Sequence, residues 1–376
     1  MKRRMGTGRN IAARIAAVCL SAVLAVTLAA CSNAASGGEA GGAEYAGQTL
    51  HLYNAGEYID EQVIKDFESR TGARIVLDIF ESNEQMYIKV ANGDSYDLLV
   101  PSDYMIERLI QEDLLQQLDP SRITCKELLD PALLARMDFD PEQNYAIPYF
   151  WGTVGLIYDK TQVDEQDLIA EGYGILNDQK YKGNLYLYDS ERDMFMVALK
   201  YLGYSMNTTD EAELKEAHDF LMEIVETMDT EIVTDEIIDN MAQGRKALGI
   251  MYSGEAVYVM GENEDMGFYM PETGTNIWMD CMVIPKNAEH VDLAYEFINF
   301  VSGYEPAKNN SVEIGYTSPN LQVMEELSGP GGDYEGVDAY IPRTDNANDE
   351  VFHYNEKARK IIAEYWSKVK IAASNG

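Results

Sequence analysis

The run Thr49-Leu50-His51-Leu52-Tyr53 reads as a short strand, and the elements after it decide the fold class. A helix is predicted over 58–70, because Val63, Ile64 and Phe67 share one face and Gly72 supplies the expected C-cap. A second strand is expected over 73–80, a helix over 83–90, an apolar strand over 96–100 and a helix over 103–111. Strand–helix–strand units with short connections imply an α/β protein whose parallel sheet is covered on both faces. The later chain repeats the style, with strands over 153–158, 183–188, 247–252 and 277–284. Helices are expected over 191–202, 211–228, 291–301 and 355–369, and Gly329-Pro330-Gly331-Gly332 marks a loop. The 376 residues suggest two domains, on a prior of roughly 100–200 residues per domain.

Upstream of this pattern, residues 1–30 contain Lys2, Arg3, Arg4, Arg9 and Arg14 and no acid. The apolar run from Ala16 to Ala29 is too short for a comfortable membrane span, so head and run together read as a secretory signal. It ends in Leu28-Ala29-Ala30-Cys31, which resembles the lipobox of bacterial lipoproteins. That resemblance implies cleavage before Cys31 and a diacylglycerol anchor on its thiol, holding the protein at the outer face of the cell membrane. Residues 31–48 are Gly/Ala/Ser/Glu-rich and are expected to form a flexible tether. Cys125 and Cys281 then stand far apart, without a disulfide framework or a CxxC metal pair.

Composition narrows the function further. The chain has 29 Lys+Arg against 64 Asp+Glu, a formal charge of −35. Without the five basic residues of the signal it carries 24 against 64, or −40. Such a balance argues against a nucleic-acid partner, which needs a basic face. Signatures of catalysis are missing: no GxSxG, HExxH, Walker A or GxGxxG motif occurs. Asp138, Asp140 and Glu142 have the opening spacing of a calcium loop, but Gln143 and Tyr149 stand where its Gly and Glu belong. His51, His218, His290 and His353 are isolated, and a lone His is more often structural than a ligand or base. Neither a metal, a cofactor nor an enzymatic activity is expected.

What stands out is aromatic rings next to carboxylates. Gly56-Glu57-Tyr58, Ser102-Asp103-Tyr104, Tyr188-Asp189-Ser190-Glu191-Arg192-Asp193 and Trp278-Met279-Asp280 all fall at expected strand ends. Ligands of α/β sheets sit at the carboxyl ends of strands. Trp278 and Asp280 lie two apart in β character and so share a face. A ring face attracts a cation by about 0.5–1 kcal/mol when exposed and ~2 kcal/mol or more when desolvated. A carboxylate beside it adds charge-assisted hydrogen bonds to an ammonium. Such a cleft suits a flexible aliphatic polycation and would repel phosphate or carboxylate ligands. The alternative from the residues alone is that the tyrosines pack a core and the acids form a solvated surface.

Several blocks resemble the spermidine/putrescine-binding receptors of ABC importers. They are Glu81-Ser82-Asn83-Glu84-Gln85-Met86-Tyr87, Tyr96-Asp97-Leu98-Leu99-Val100-Pro101-Ser102, Ile147-Pro148-Tyr149-Phe150-Trp151-Gly152, Leu202-Gly203-Tyr204-Ser205, Trp278-Met279-Asp280 and Ile314-Gly315-Tyr316-Thr317-Ser318-Pro319-Asn320. The resemblance runs over about 50–368. It implies a two-lobed periplasmic-binding-protein-like (type II) fold, with lobe 1 at 49–152 plus 279–324 and lobe 2 at 157–274 plus 329–376, joined by two crossover strands. It implies a polyamine ligand in the cleft, ABC permease subunits as membrane partners, and a monomeric extracytoplasmic receptor. The family's cleft positions fall on Glu57, Tyr58, Ser102, Tyr104, Asp193, Tyr252, Trp278, Asp280 and Tyr316, with Ser190 and His353 at two further positions. There, acids matching Asp280 and Asp193 hold charged nitrogens while rings clamp the methylenes. This chain departs from the pattern at Ala55 (a ring expected), Tyr252 (an indole), Ser190 (an acid) and His353 (an amide). The missing acid would favour a diamine, unless Asp189 or Glu191 substitutes for it. A same-fold receptor for a sugar, ferric iron or thiamine, a surface hydrolase and an adhesion lipoprotein are the rival readings.

Overall fold

The computed structural model describes residues 44–56 and 58–374. The signal segment, Cys31, most of the expected tether and Glu57 lie outside the described residues. Residues 44–47, expected as tether, form a turn: the Tyr45 N–H donates to the Thr71 carbonyl (3.3 Å) and its ring packs on the core.

Strand β1 (Thr49–Ala55) leads to α1 (Glu61–Thr71), β2 (Arg74–Phe80), α2 (Asn83–Ala91), β3 (Leu98–Leu99) and α3 (Asp103–Gln111). The first helix starts later than residue 58 because Asp60 caps it, accepting from the Gln62 N–H at 2.8 Å. It ends at Gly72, whose φ of 73° is the left-handed conformation glycine adopts freely. The chain continues through α4 (Pro131–Leu134), β4 (Ala146–Asp159), α5 (Glu165–Glu171), β5 (Leu185–Tyr188), α6 (Glu191–Leu202), α7 (Glu211–Thr227) and β6 (Glu231–Val233). Next come α8 (Glu236–Ala242), β7 (Leu248–Tyr252), α9 (Ser253–Glu262), β8 (Met266–Tyr269) and β9 (Ile277–Val283). The last elements are α10 (Val291–Val301), α11 (Tyr304–Ile314), α12 (Leu321–Ser328) and α13 (Glu356–Ala373).

The strands join in the order β2-β1-β3-β9-β4-β7-β5-β6, with β8 also pairing β4. The structure corrects the expectation of an all-parallel sheet. Pairs β1–β2, β1–β3, β5–β6 and β5–β7 are parallel, whereas β9 and β4 run antiparallel to their neighbours. The parallel pairs come from local strand–helix–strand units, and the antiparallel ones from chain segments that return from far along the sequence.

Strand β4 is the centre of this arrangement. All fourteen of its residues are buried, which is why Ala146–Asp159 reads as one apolar run without alternation. Its first half pairs with β9 up to Thr153↔Ile277, and from Val154↔Tyr252 onward it pairs with β7 and β8. The sheet therefore has two halves that share one strand. Helices α2 and α3 pack on the β1–β3–β9 half, and α6, α7 and α13 on the β5–β7 half.

At the changeover Gly152 has no room for a side chain. A Cβ there would lie 2.6 Å from the Trp278 indole and 2.5 Å from the Ser253 hydroxyl. Gly152→Ala is therefore expected to lower stability by ~1–3 kcal/mol, the usual cost of overpacking, despite the small gain from stiffening the unfolded chain. A urea midpoint equal to the parent protein's would contradict that close approach.

Candidate functional site

Asp280, in the interior of β9, faces the ends of two other elements across an isolated bridge to Ser102. Its Oδ1 accepts from the Ser102 hydroxyl at 2.6 Å and its Oδ2 from the Tyr58 phenol at 2.7 Å. Burial raises its carboxyl above the ordinary range, and those two donors oppose the rise. Ser102 is placed by Asn83, whose side chain donates to its hydroxyl and accepts its N–H, both at 3.0 Å. Tyr58 is held by its carbonyl, which accepts from the Tyr149 phenol at 2.7 Å. Neighbouring Asp103 turns inward instead: it accepts the N–H groups of Tyr104 (2.6 Å) and Met279 (3.1 Å), tying α3 to β9, and burial pushes its carboxyl up to about 8.

A second acid lies in the other half of the sheet. Asp193, in the first turn of α6 and buried, accepts from the Ser190 hydroxyl (2.6 Å) and the Tyr252 phenol (2.5 Å). Between the two acids runs a chain of edge-to-face rings. Tyr58 meets Tyr316 at 5.6 Å, Tyr316 meets Trp278 at 5.1 Å, Trp278 meets Tyr252 at 6.1 Å and Tyr252 meets Tyr188 at 5.3 Å between centroids. The Trp278 N–H donates to the Thr153 carbonyl (3.3 Å), so the indole presents only its apolar surface to the rings. Tyr316 lies directly on Gly254, where a Cβ would sit 1.9 Å from the ring.

Expected positions thus divide into groups. Tyr58, Ser102, Asp280, Tyr316, Trp278, Tyr252, Asp193 and Ser190 form one continuous set, and Trp278-Met279-Asp280 lies inside β9 rather than at a strand end. Tyr104 stands apart, because the Arg192 guanidinium covers its face at 3.4 Å and also pairs with Glu84 at 3.2 Å. His353 stands apart too: its Nδ1 lies 3.2 Å from Glu107 and its Nε2 3.3 Å from Asp138. Glu57 lies outside the described residues.

Asp189 and Glu191 can be compared as replacements for the acid missing at Ser190. Asp189 is turned to α13, accepting from the Trp366 indole (2.9 Å) and Lys370 (3.2 Å). Glu191 is half-buried beside Arg192 and Arg359. The carboxylate that joins the ring set is instead Glu255, in the first turn of α9. Burial and then the charge of Asp235 push its carboxyl up to about 8, and its Oε2 is buried without a hydrogen-bond partner. Burial raises the phenols of Tyr316, Tyr252 and Tyr188, and Glu255 adds to the rise. Adjacency of rings and acids in the sequence does not pick it out, because Ser253 and Gly254 separate it from Tyr252. Its place just after the carboxyl end of β7 was the signal available. The calcium-like spacing at Asp138 has a local explanation, since Asp140 accepts the N–H groups of Asn144 (3.0 Å), Tyr145 (2.9 Å) and Ala146 (3.1 Å).

Two halves facing one set of rings and acids is the layout of a ligand-binding cleft, and the comparisons with known proteins agree. The family model of the bacterial extracellular solute-binding protein matches residues 62–330. The chain belongs to that family. Among its relatives, the spermidine/putrescine-binding periplasmic protein of Escherichia coli is 33% identical over 282 residues, covering 74% of this chain and 80% of that protein. The putrescine/cadaverine-binding protein of Pseudomonas aeruginosa is 28% identical over 339 residues, 87% of this chain and 94% of that one. Among solved structures, the spermidine/putrescine ABC transporter substrate-binding protein PotD from Streptococcus pneumoniae superposes with a TM-score of 0.75. It shares 35% identity and covers 87% of this chain and 99% of its own. The solute-binding protein therefore has the expected two-lobed type II fold, and its place is outside the cytoplasm.

The raised carboxyl of Glu255 has a measurable consequence. Between the ordinary carboxylate range and about 8 the folded solute-binding protein holds a proton that the unfolded chain releases, so stability falls as pH rises through that window. Glu255→Gln is expected to raise the thermal midpoint at pH 8 and to flatten its decline from pH 5 to 8, with Asp103 retaining part of the slope. A parent-like midpoint at pH 8 would show the carboxyl to be stabilised by a partner.

Proposed function

We propose that this solute-binding protein captures an aliphatic polyamine of the putrescine/spermidine class between its lobes and delivers it to an ABC permease. The observation that carries this reading is the pairing of acids at both ends of one ring set: Asp280 on one half, Asp193 and Glu255 on the other. An α,ω-diammonium chain meets this arrangement group by group. Its nitrogens donate charge-assisted hydrogen bonds to the carboxylates, and its methylenes lie on the faces of Tyr58, Trp278, Tyr252 and Tyr316. Glu255, whose Oε2 is buried without a hydrogen-bond partner and whose carboxyl is pushed up to about 8, gains a charge-assisted partner when it gives up its proton to meet an ammonium. The names of the relatives, which are said to bind spermidine, putrescine or cadaverine, favour the same ligand class.

The lobes are proposed to be 49–152 plus 279–324 and 157–274 plus 329–376. The switch of β4 from β9 to β7 between Thr153 and Val154 supports that division. Closure about this shared strand would sequester the amine and present the closed form to the permease. The proposed role is binding without turnover, as a monomer. A diacylglycerol on Cys31, as the lipobox resemblance implies, would keep the protein beside its permease and raise its effective concentration there.

The test is a thermal-shift and calorimetric series with putrescine, cadaverine, spermidine and spermine. A ligand at a hundred times its Kd is expected to stabilise by about 2.7 kcal/mol. Asp280→Asn should weaken the preferred amine by ~2–5 kcal/mol, the cost of leaving a desolvated ammonium without its partner. Trp278→Ala should cost ~1–3 kcal/mol in lost cation–π contact and burial. Indifference of the parent protein to every amine would end the polyamine reading. Full affinity in Asp280→Asn would remove that carboxylate from the site.

A further inference from the structure

His353 precedes α13, which packs on α6 and α7, while its imidazole reaches the opposite half of the molecule. There the ring is gripped at both nitrogens, Nδ1 by Glu107 of α3 and Nε2 by Asp138 of the loop after α4. The backbone supports the same crossing: the Tyr354 N–H donates to Glu107 at 2.7 Å, while the His353 N–H is held on its own side by Asn207 at 2.8 Å. Both ring nitrogens can donate at once only in the imidazolium form.

We infer that His353 is a cross-lobe clasp, which locks between Glu107 and Asp138 when the cleft closes and lets go when it opens. The inference rests on the capture reading above, and it adds that closure takes up a proton. In the locked geometry the two carboxylates hold the imidazolium and push its pKa up to about 10. In the open form the ring faces water and returns toward its ordinary value of about 6.5.

Linkage sets the sign. Below the open-state value the ring is charged in both forms and the clasp contributes fully to closure. As pH rises toward the closed-state value, closing must bind a proton that becomes scarcer, and the contribution fades. The groups around the ring leave this direction unchanged. Arg108 of α3 lies over the Tyr354 ring, Arg192 of α6 and Arg359 of α13 line the small cavity beside His353, and guanidinium groups stay charged throughout. Glu356 of α13, which accepts from the Tyr354 phenol, is held down to about 2 by Arg359 and Lys360. Alkyl ammonium ligands, with pKa values near that of lysine, also remain charged between pH 6 and 8.

Two measurements on the full chain test the clasp. In the first, putrescine affinity is measured from pH 6 to 8. Relative to His353→Gln, the parent protein should weaken about twentyfold across that range, from the proton linkage of one imidazole. His353→Gln should bind more weakly at pH 6 and His353→Arg should stay tight, and both should lose the imidazole's weakening and keep only the gain from Glu255 deprotonation. In the second, spin labels at Ile88→Cys and Tyr258→Cys, both exposed and on opposite halves, report the separation of the lobes without amine. The native Cys125 and Cys281 are buried away from the label, and Cys19 and Cys31 are changed to Ser. The closed fraction should fall from pH 6 to 8 in the parent background and stay constant with His353→Gln. Identical profiles in the parent protein and His353→Gln, in both measurements, would overturn the clasp and leave the polyamine reading intact. A pH-dependent lobe separation that His353→Gln abolishes, in a protein that binds no amine, would support the clasp and remove the polyamine reading.

Discussion

A carboxylate placed among aromatic rings is tolerable only while something positive or protic meets it, and this molecule is arranged around that constraint. Asp280 and Asp193 each receive two hydroxyl donors, one from a small serine and one from a tyrosine. Donors of this kind preserve the charge and its direction without neutralising it. Glu255 lacks even this relief on one oxygen. Asp280 and Asp193 are thereby left to hydroxyl donors alone, while burial keeps the Glu255 carboxyl protonated up to about 8.

That arrangement needs the two halves of the sheet to be joined where the acids face each other. Strand β4 does this by serving both, with a fully buried length of fourteen residues. Gly152 and Gly254 sit at the points where its neighbours crowd in, against the Trp278 indole and the Tyr316 ring respectively. Small residues at the junction let the large rings approach one another across it. The overall charge of −35 matters less at this scale, since screening over about 8 Å in physiological salt leaves the local carboxylates in command.

Much of this was legible in the residues, for reasons that differ by element. Helices α3 and α6 lie where their periodicity places them, because each comes directly after a strand, and Ser190 caps α6 by accepting from the Asp193 N–H. The first half of β4 was not legible, because Pro148 and an unbroken apolar run carry no alternation. The antiparallel joins of β4 and β9 were invisible for a different reason: they link residues ninety or more positions apart, and local pattern carries no record of such partners. Among site residues, acids adjacent to rings announced themselves, while Glu255 did not. Conversely, Tyr104 and His353 stand in the right segments but are engaged by Arg192 and by Glu107 with Asp138, contacts that only the tertiary structure assembles.

Those engaged residues reveal how the protein treats cations generally. Arg192 lies on Tyr104 at 3.4 Å and pairs with Glu84; Arg108 lies on Tyr87 at 3.5 Å and pairs with Glu112. In both places a positive group is flanked by a ring and a carboxylate, the same combination that faces the cleft. The difference is connectivity. Around Tyr104 and Tyr87 the cation is supplied by the chain, so the contact is intramolecular and its entropy cost is met in folding. Around Trp278 the ring is edge-packed on its neighbours and the acids meet only hydroxyls. On the capture reading proposed above, selectivity for a free amine needs no special chemistry. It requires only that, among the described residues, lysines and arginines stay off a ring cluster whose carboxylates are left to hydroxyl donors.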